Sequence, residues 1–347
     1  MLTRAQWLRL HRLLGLTMAV FLLVQALTGA LLVYRGPMAR MLDPVGMTSH
    51  ATGRPVSIGI AVTQADRALP GYHVTRIFAP DAPGATWFAH LRNAAGQARF
   101  ASVDPAGGAV RRTGPLAAFP VEAALQIHYQ LMAGRIGMAI VALNGLALLI
   151  MAGSGLAYWW PKRNRMKALA IHWHRAPRLV LRHAHRTLGV VAAAFMIVLA
   201  ATGLLLVLPD LAGDARPLPP VAVAAAALDR GLALAQSQFP HSTLRDARID
   251  AGRLIVNFNA PTRNARAVHR VIVSLAPSQI DQRIPADRNP ALWMTILPIH
   301  AGNALGPIGQ PLLLIVALAL ASLSLTGPLM WWHVRTQRRS PSRKPRA

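Results

Sequence analysis

The stretch HRLLGLTMAVFLLVQALTGALLVY, residues 11–34, decides the fold, because it returns in altered form 174 residues later as HRTLGVVAAAFMIVLAATGLLLVL, residues 185–208. Beyond the leading His-Arg neither copy holds an Asp, Glu, Lys or Arg. About 20 such residues, rising 1.5 Å each, cross the roughly 30 Å hydrocarbon core of a bilayer. Two further uncharged runs, 136–160 and about 308–332, are equally long. Each of the four is expected to be a transmembrane helix. A composition of 53% hydrophobic and 14% charged residues agrees, being poor in charge for a water-soluble fold.

The second pair of spans also repeats. His128, Gly134, Ile136 and Gly137 return as His300, Gly306, Ile308 and Gly309, 172 residues on. Ser154-Gly155 and Trp159-Trp160 return as Thr326-Gly327 and Trp331-Trp332. Corresponding spans then run in the same direction, and a four-helix bundle built by internal duplication follows. The Thr-Gly and Ser-Gly pairs are small enough to let helices, or a flat ligand, approach closely.

The expected organisation is a first span at 1–35, an external domain at 36–133, a second span at 134–160 and a basic loop at 161–184. A third span at 185–209, a second external domain at 210–307, a fourth span at 308–333 and a basic tail at 334–347 complete it. Both external segments read as small α+β domains, a helix followed by a three-stranded antiparallel sheet. The helices are expected at 56–69 and 222–238. Strands are expected at 72–79, 86–91 and 98–103 in the first, and at 243–249, 253–259 and 267–275 in the second.

A net charge of +25 raises the question of nucleic acid, but its distribution answers for topology. All twelve acids lie between spans one and two or between three and four, whereas the N-terminus, middle loop and tail are purely basic. The positive-inside rule places those basic segments in the cytoplasm and both long segments outside. A basic segment beside a span is a lipid contact, so membrane lipid and not nucleic acid is the expected partner. The rival reading of the first 36 residues as a signal peptide is weakened by the length of the apolar run and by its recurrence mid-chain. The chain has no cysteine, which excludes disulfides, iron–sulfur ligation and covalent c-type haem.

Of thirteen histidines, only His11 with His185 and His128 with His300 recur within matched blocks. Parallel-repeat symmetry puts each pair at one membrane level, the first near the inner face and the second near the outer. Facing imidazoles from two halves suit non-covalent bis-histidine ligation of b-type haem, one near each face. Arg12 and Arg186 beside the inner pair and Arg135 near His128 are candidate propionate partners. Gly15 and Gly189 are candidates for leaving room at a porphyrin edge. The middle loop adds His172, His174 and His183, a weaker candidate for a transition-metal site because eight Lys/Arg and no acid surround it. No span holds Asp or Glu, so a carboxylate relay for metal transport is not expected.

The motifs LHRLLG (10–15), VDPAGG (103–108), IHYQLMAGRIG (127–137), SGLAYWWPKR (154–163) and PIHAGNALG with LTGPLMWW (298–332) together resemble the PepSY-associated transmembrane family. The resemblance covers about residues 5–335. It implies an inner-membrane haem protein with PepSY-like periplasmic domains, both termini cytoplasmic. It further implies electron transfer outward to a ferric siderophore, with His11, His128, His185 and His300 as axial ligands. His172 and His174 fall where the family's basic loop does not regularly carry histidine. His183 replaces an expected acid, which leaves an exchange of roles with His185 open. No G-x-G-x-x-G fingerprint follows a strand, so a separate donor, quinol or a small reductase, is required. The alternative is a non-catalytic membrane-anchored PepSY module that binds a periplasmic protein or peptide.

Overall fold

The structure, a computed structural model, describes residues 3–160, 167–213 and 219–339. The chain begins with α1 (Arg4–Val33), the short helices α2 (Arg35–Leu42) and α3 (Pro44–Met47), and α4 (Ile58–Ala68). Strands β1 (His73–Phe78), β2 (Trp87–Arg92), β3 (Ala98–Val103) and β4 (Val110–Gly114) follow. Helix α5 (Pro120–Gln130) leads into α6 (Gly134–Trp159), and α7 (Pro177–Ala212) comes next. The same order then recurs: α8 (Ala225–Gln236), β5 (Thr243–Asp250), β6 (Arg253–Asn259), β7 (Val268–Leu275), β8 (Ser278–Ile284), α9 (Trp293–His300) and α10 (Gly309–Arg339). Lys162, Arg163 and Arg165 of the basic loop, and Arg343, Lys344 and Arg346 of the tail, lie outside the described residues.

Two compact units result, one formed by 1–33, 125–212 and 299–347, the other by 34–124 and 213–298. The first is a bundle of the four helices that, among the described residues, are long and apolar enough to cross a membrane, which makes this a multi-pass membrane protein. Helix α1 packs on α6 and α10, and α7 packs on the same two, so α1 and α7 stand diagonally, as do α6 and α10. Lipid already solvates apolar side chains, so burial alone does not bring helices together; close packing of small residues does. The interior accordingly mixes Ala192, Ala200 and Ala319 with Leu22, Leu148, Met196 and Val316, while Val20, Leu143, Phe195 and Ile315 face outward.

Helix α7 starts ten residues before its uncharged run, so the expected loop is helical from Pro177. Hydropathy marks where lipid begins, but hydrogen bonding continues the helix until a breaker intervenes, and Pro177 is well suited to a first turn. A sharper constraint sits at the start of α6 and α10. A side-chain carbon at Gly137 would lie 1.7 Å from the Gln130 carbonyl oxygen, and one at Gly309 would lie 1.8 Å from that of Gly302. Glycine alone lets the preceding segment fold back onto the first turn of the span.

In the second unit α4 buries Ile58, Ala61, Val62 and Ala65, an apolar face at helical spacing, behind an N-cap at Ser57. With Leu228 and Ala235 of α8 it covers one face of a sheet whose buried residues alternate along each strand, as in Trp87, Ala89 and Leu91. The sheet has eight strands in the order β4-β3-β2-β1-β5-β6-β7-β8. The two external segments were expected to form separate three-stranded domains; instead, β1 and β5 pair antiparallel and join them into one sheet. The unexpected strands β4 and β8 are its edges. Their sequences, VRRTG and SQIDQRI, are polar because an edge strand has no covering neighbour and is kept charged against association.

Candidate functional site

His11 and His185 come from the diagonal helices α1 and α7, and His128 and His300 from α5 and α9, which precede the diagonal pair α6 and α10. His128, in the last turn of α5, and His300, at the end of α9, face each other with ring centres 6.3 Å apart and planes at 56°. His11 of α1 and His185 of α7 lie within electrostatic reach of one another. Along α1, His11 and Thr28 are 17 residues apart, which separates the two tiers by about 25 Å.

Each imidazole rests on a Ser-Gly or Thr-Gly pair of an adjacent helix. His11 Nδ1 lies 3.2 Å from Ser154 Oγ and 3.0 Å from the Met151 carbonyl. His128 Nδ1 lies 3.1 Å from both Thr28 Oγ1 and the Gln25 carbonyl. His185 Nδ1 is 2.7 Å from Thr326 Oγ1, and His300 Nδ1 is 2.9 Å from Thr202 Oγ1. The glycine that follows each hydroxyl residue admits the ring. A side-chain carbon at Gly155, Gly29, Gly203 or Gly327 would stand 3.1, 3.1, 3.3 or 3.6 Å from the Cε1 of His11, His128, His300 or His185 respectively.

These seats fix the tautomer. Thr28, Thr202, Ser154 and Thr326 donate their own hydroxyl protons to carbonyls one turn back in their helices, those of Val24, Val198, Met151 and Leu323. Their oxygens are therefore left to accept, as the Gln25 and Met151 carbonyls do. A ring nitrogen surrounded by acceptors carries the proton, so Nδ1–H donates and Nε2 holds a lone pair. Among the described residues no hydrogen bond reaches Nε2 of any of the four. Four such nitrogens, two of them on rings 6.3 Å apart in the outer pair, are metal-ligand chemistry. No group of three His, Asp or Glu among the described residues suits a metal ion, so a metal between either pair must bring its remaining ligands with it.

The seats were present in the sequence as repeated small-residue pairs, where they read as helix-packing or ligand-approach positions. Gly15 and Gly189 have different neighbours: a side-chain carbon there would touch Met151 at 3.4 Å and Leu323 at 3.7 Å, ordinary helix contacts. Arg12 is exposed. Arg186 donates to the Ala170 carbonyl at 3.2 Å and Arg135 to the Leu211 carbonyl at 2.9 Å. Arg135 thus works with Tyr129, whose hydroxyl donates to Asp210, to pin the α5–α6 junction to the end of α7. His185, not His183, reaches Thr326, while His183 Nδ1 accepts from the His172 backbone N–H at 3.4 Å, with the two rings 5.2 Å apart.

Residues 8–333 match the family described as PepSY-associated TM region. No curated protein matches the chain.

Proposed function

The chain belongs to the PepSY-associated TM family, and from that premise we propose that it is a di-haem b protein that carries electrons across the bacterial inner membrane to a ferric siderophore. The observation that carries the reading is the fourfold imidazole seat with its facing outer pair. An iron between two imidazoles, with metal–nitrogen bonds of about 2 Å, sets their ring centres roughly 6 Å apart, and the outer pair stands at 6.3 Å. Haem would supply the remaining ligands that the described residues do not offer. The residues present therefore fit haem b.

His11 and His185 would hold the inner haem, His128 and His300 the outer one. Haem supplies one-electron transfer when bound, at a potential set by its axial ligands and their hydrogen bonds. The chain's own residues orient those ligands. Each Nδ1–H, held by a hydroxyl or a carbonyl, makes its ring more basic at Nε2 and locks its plane. The apolar layer of Leu22, Leu148 and Met196 between the tiers keeps water from the path. In this reading the duplication has a function, each half providing one ligand to each tier. The basic segments support a cytoplasmic side for both termini and a periplasmic side for the sheet, where the acceptor would be met. Electrons enter from quinol or a separate reductase.

The test is anaerobic reoxidation. Dithionite-reduced protein is mixed with a panel of ferric siderophores, and the reduced α band is followed. At least one chelate should restore the oxidised spectrum within seconds and release ferrous iron to a trap. Failure of every chelate, with the haems still oxidised by ferricyanide, would overturn the substrate assignment.

A further inference from the structure

Away from α4 and α8, the second unit's sheet gathers arginines around one buried carboxylate. Ile77, Ala247, Val256 and Val271 fill the helix-covered core, so alternation places Arg76 of β1, Asp246 and Arg248 of β5, Asn257 of β6 and Arg270 of β7 on the other face. Arg76 and Arg248 stand directly opposite each other across the β1–β5 pairing. Asp246, 1% exposed, accepts from Arg76 Nε at 3.0 Å and from Asn257 Nδ2 at 3.1 Å. Asn257 Oδ1 in turn accepts from Arg270 Nε at 3.1 Å. Arg76, whose Nη2 is also 3.0 Å from Asp246, is held by two nitrogens and Arg270 by its Nε, which fixes both orientations and leaves the outer guanidinium edges free to meet a ligand.

The charge is not balanced. Like charges directly opposite in a sheet repel, and among the described residues the acids that act on Arg245 and Arg248 are Asp246 and Asp250. Glu122 is taken by Arg35. Arg245 adds a further cation, lying 4.9 Å over the Trp293 ring with its Nη1 buried and unbonded. Burial first, and then the neighbouring guanidiniums, lower the pKa of Arg245 and Arg248 from the usual arginine range. Arg248 is desolvated by its neighbours on the sheet, yet enough of the residue reaches water to open the cluster to solvent.

Spacing selects the ligand. Adjacent strands lie about 4.8 Å apart, so Arg76 and Arg248 are one strand apart, and Arg270, two strands over and two residues along, is roughly 12 Å from Arg248. A lone phosphate meets only one neighbouring pair. A compact chelate that displays several carboxylates meets all three, and the guanidinium fork matches a carboxylate with two parallel hydrogen bonds. We propose that this face docks a polycarboxylate ferric chelate through Arg76, Arg248 and Arg270. The proposal rests on the reductase reading and names the class of its acceptor.

The test is calorimetric titration of the full-length, haem-loaded protein in detergent with gallium(III) citrate, which binds without accepting electrons. Arg248→Gln leaves the bonds to Asp246 intact, so the fold is kept, and it should weaken binding at least ten-fold. Arg248→Glu should abolish binding, and added salt should weaken the wild-type interaction. A neutral gallium trihydroxamate should respond to neither variant. Unchanged citrate binding in both variants would overturn the proposal. So would binding that inorganic phosphate matches at equal concentration, or that appears only with phosphatidylglycerol nanodiscs. Haem content is read on the same samples. A haem-free protein that still binds gallium citrate defeats the redox reading and leaves the arginine site standing. A haem-loaded protein that reduces ferric chelates while its gallium citrate binding is unchanged by Arg248→Glu defeats the arginine site alone.

Discussion

Replacing Gly137 by Ala should remove the outer haem and spare the inner one. The new side-chain carbon would lie 1.7 Å from the Gln130 carbonyl oxygen, whereas carbon and oxygen approach no closer than about 3.3 Å in ordinary contact. Helix α5 and the first turn of α6 must therefore separate by about 1.6 Å. Gln130 ends the helix that carries His128, so the imidazole moves with it and leaves the Thr28-Gly29 seat. A metal–nitrogen bond of about 2 Å does not survive such a displacement, since ligand constellations function only within about 0.5 Å of their geometry. Overpacking should cost a further 1–3 kcal/mol or so in stability. The assay is a pyridine haemochrome titration against protein concentration, with Gly15→Ala as control. At Gly15 the new carbon touches only the flexible end of Met151, at 3.4 Å. The expected result is one haem per chain in Gly137→Ala and two in Gly15→Ala. Two haems with an unaltered spectrum in Gly137→Ala would refute the reasoning.

Thr202→Val removes one acceptor from His300 Nδ1 while keeping the shape of the side chain; loss of about 0.5–1.5 kcal/mol of hydrogen bonding corresponds to roughly 20–60 mV for one electron. Potentiometric titration should show the outer haem shifting upward by that amount and the inner haem unmoved. His90 is buried among Phe78, Phe88 and Phe100; desolvation lowers its pKa from 6.5 to about 4, against Glu122, with Arg76, Arg35 and Arg92 adding to the shift. The unfolded chain then binds the proton first, so stability is present above about pH 6.5 and is lost towards pH 4, at about 1.4 kcal/mol per unit in that window. Melting curves of His90→Phe should lack much of the wild-type acid sensitivity; an identical pH profile would count against this burial argument. Asp229 accepts from Ser57 Oγ and the Gly59 N–H, both at 2.8 Å, tying α8 to the start of α4. Asp229→Ala should cost about 1–3 kcal/mol in denaturant unfolding without altering haem content.

The four spans were legible because an uncharged run of that length has few alternatives, and the family resemblance was legible in motifs whose order and repetition outweigh their shortness. The histidine pairs emerged only by self-comparison, which separated His11, His128, His185 and His300 from nine others of the same type. Their seats were harder to read. Thr28-Gly29 and Ser154-Gly155 stood out as small residues, but nothing in a linear sequence says that the hydroxyl of one helix meets the imidazole of the next. The sheet hid its continuity for a similar reason. Pairing of Ile77 with Ala247 joins residues 170 positions apart, and local patterning carries no sign of such contacts. Edge strands β4 and β8 lack the alternation that reveals their covered neighbours. Charge hides the start of α7, because Arg ends an apolar run without ending the helix, which it extends readily in water.

The most direct test of the central claim is the haem content and ligation of the intact protein purified from haem-replete cells. The expected result is a reducible b-type spectrum with Soret and α bands, two low-spin bis-histidine haems per chain, and loss of one of them in the His128→Ala/His300→Ala double variant. A colourless preparation, or a double variant that loses both haems or neither, would contradict it.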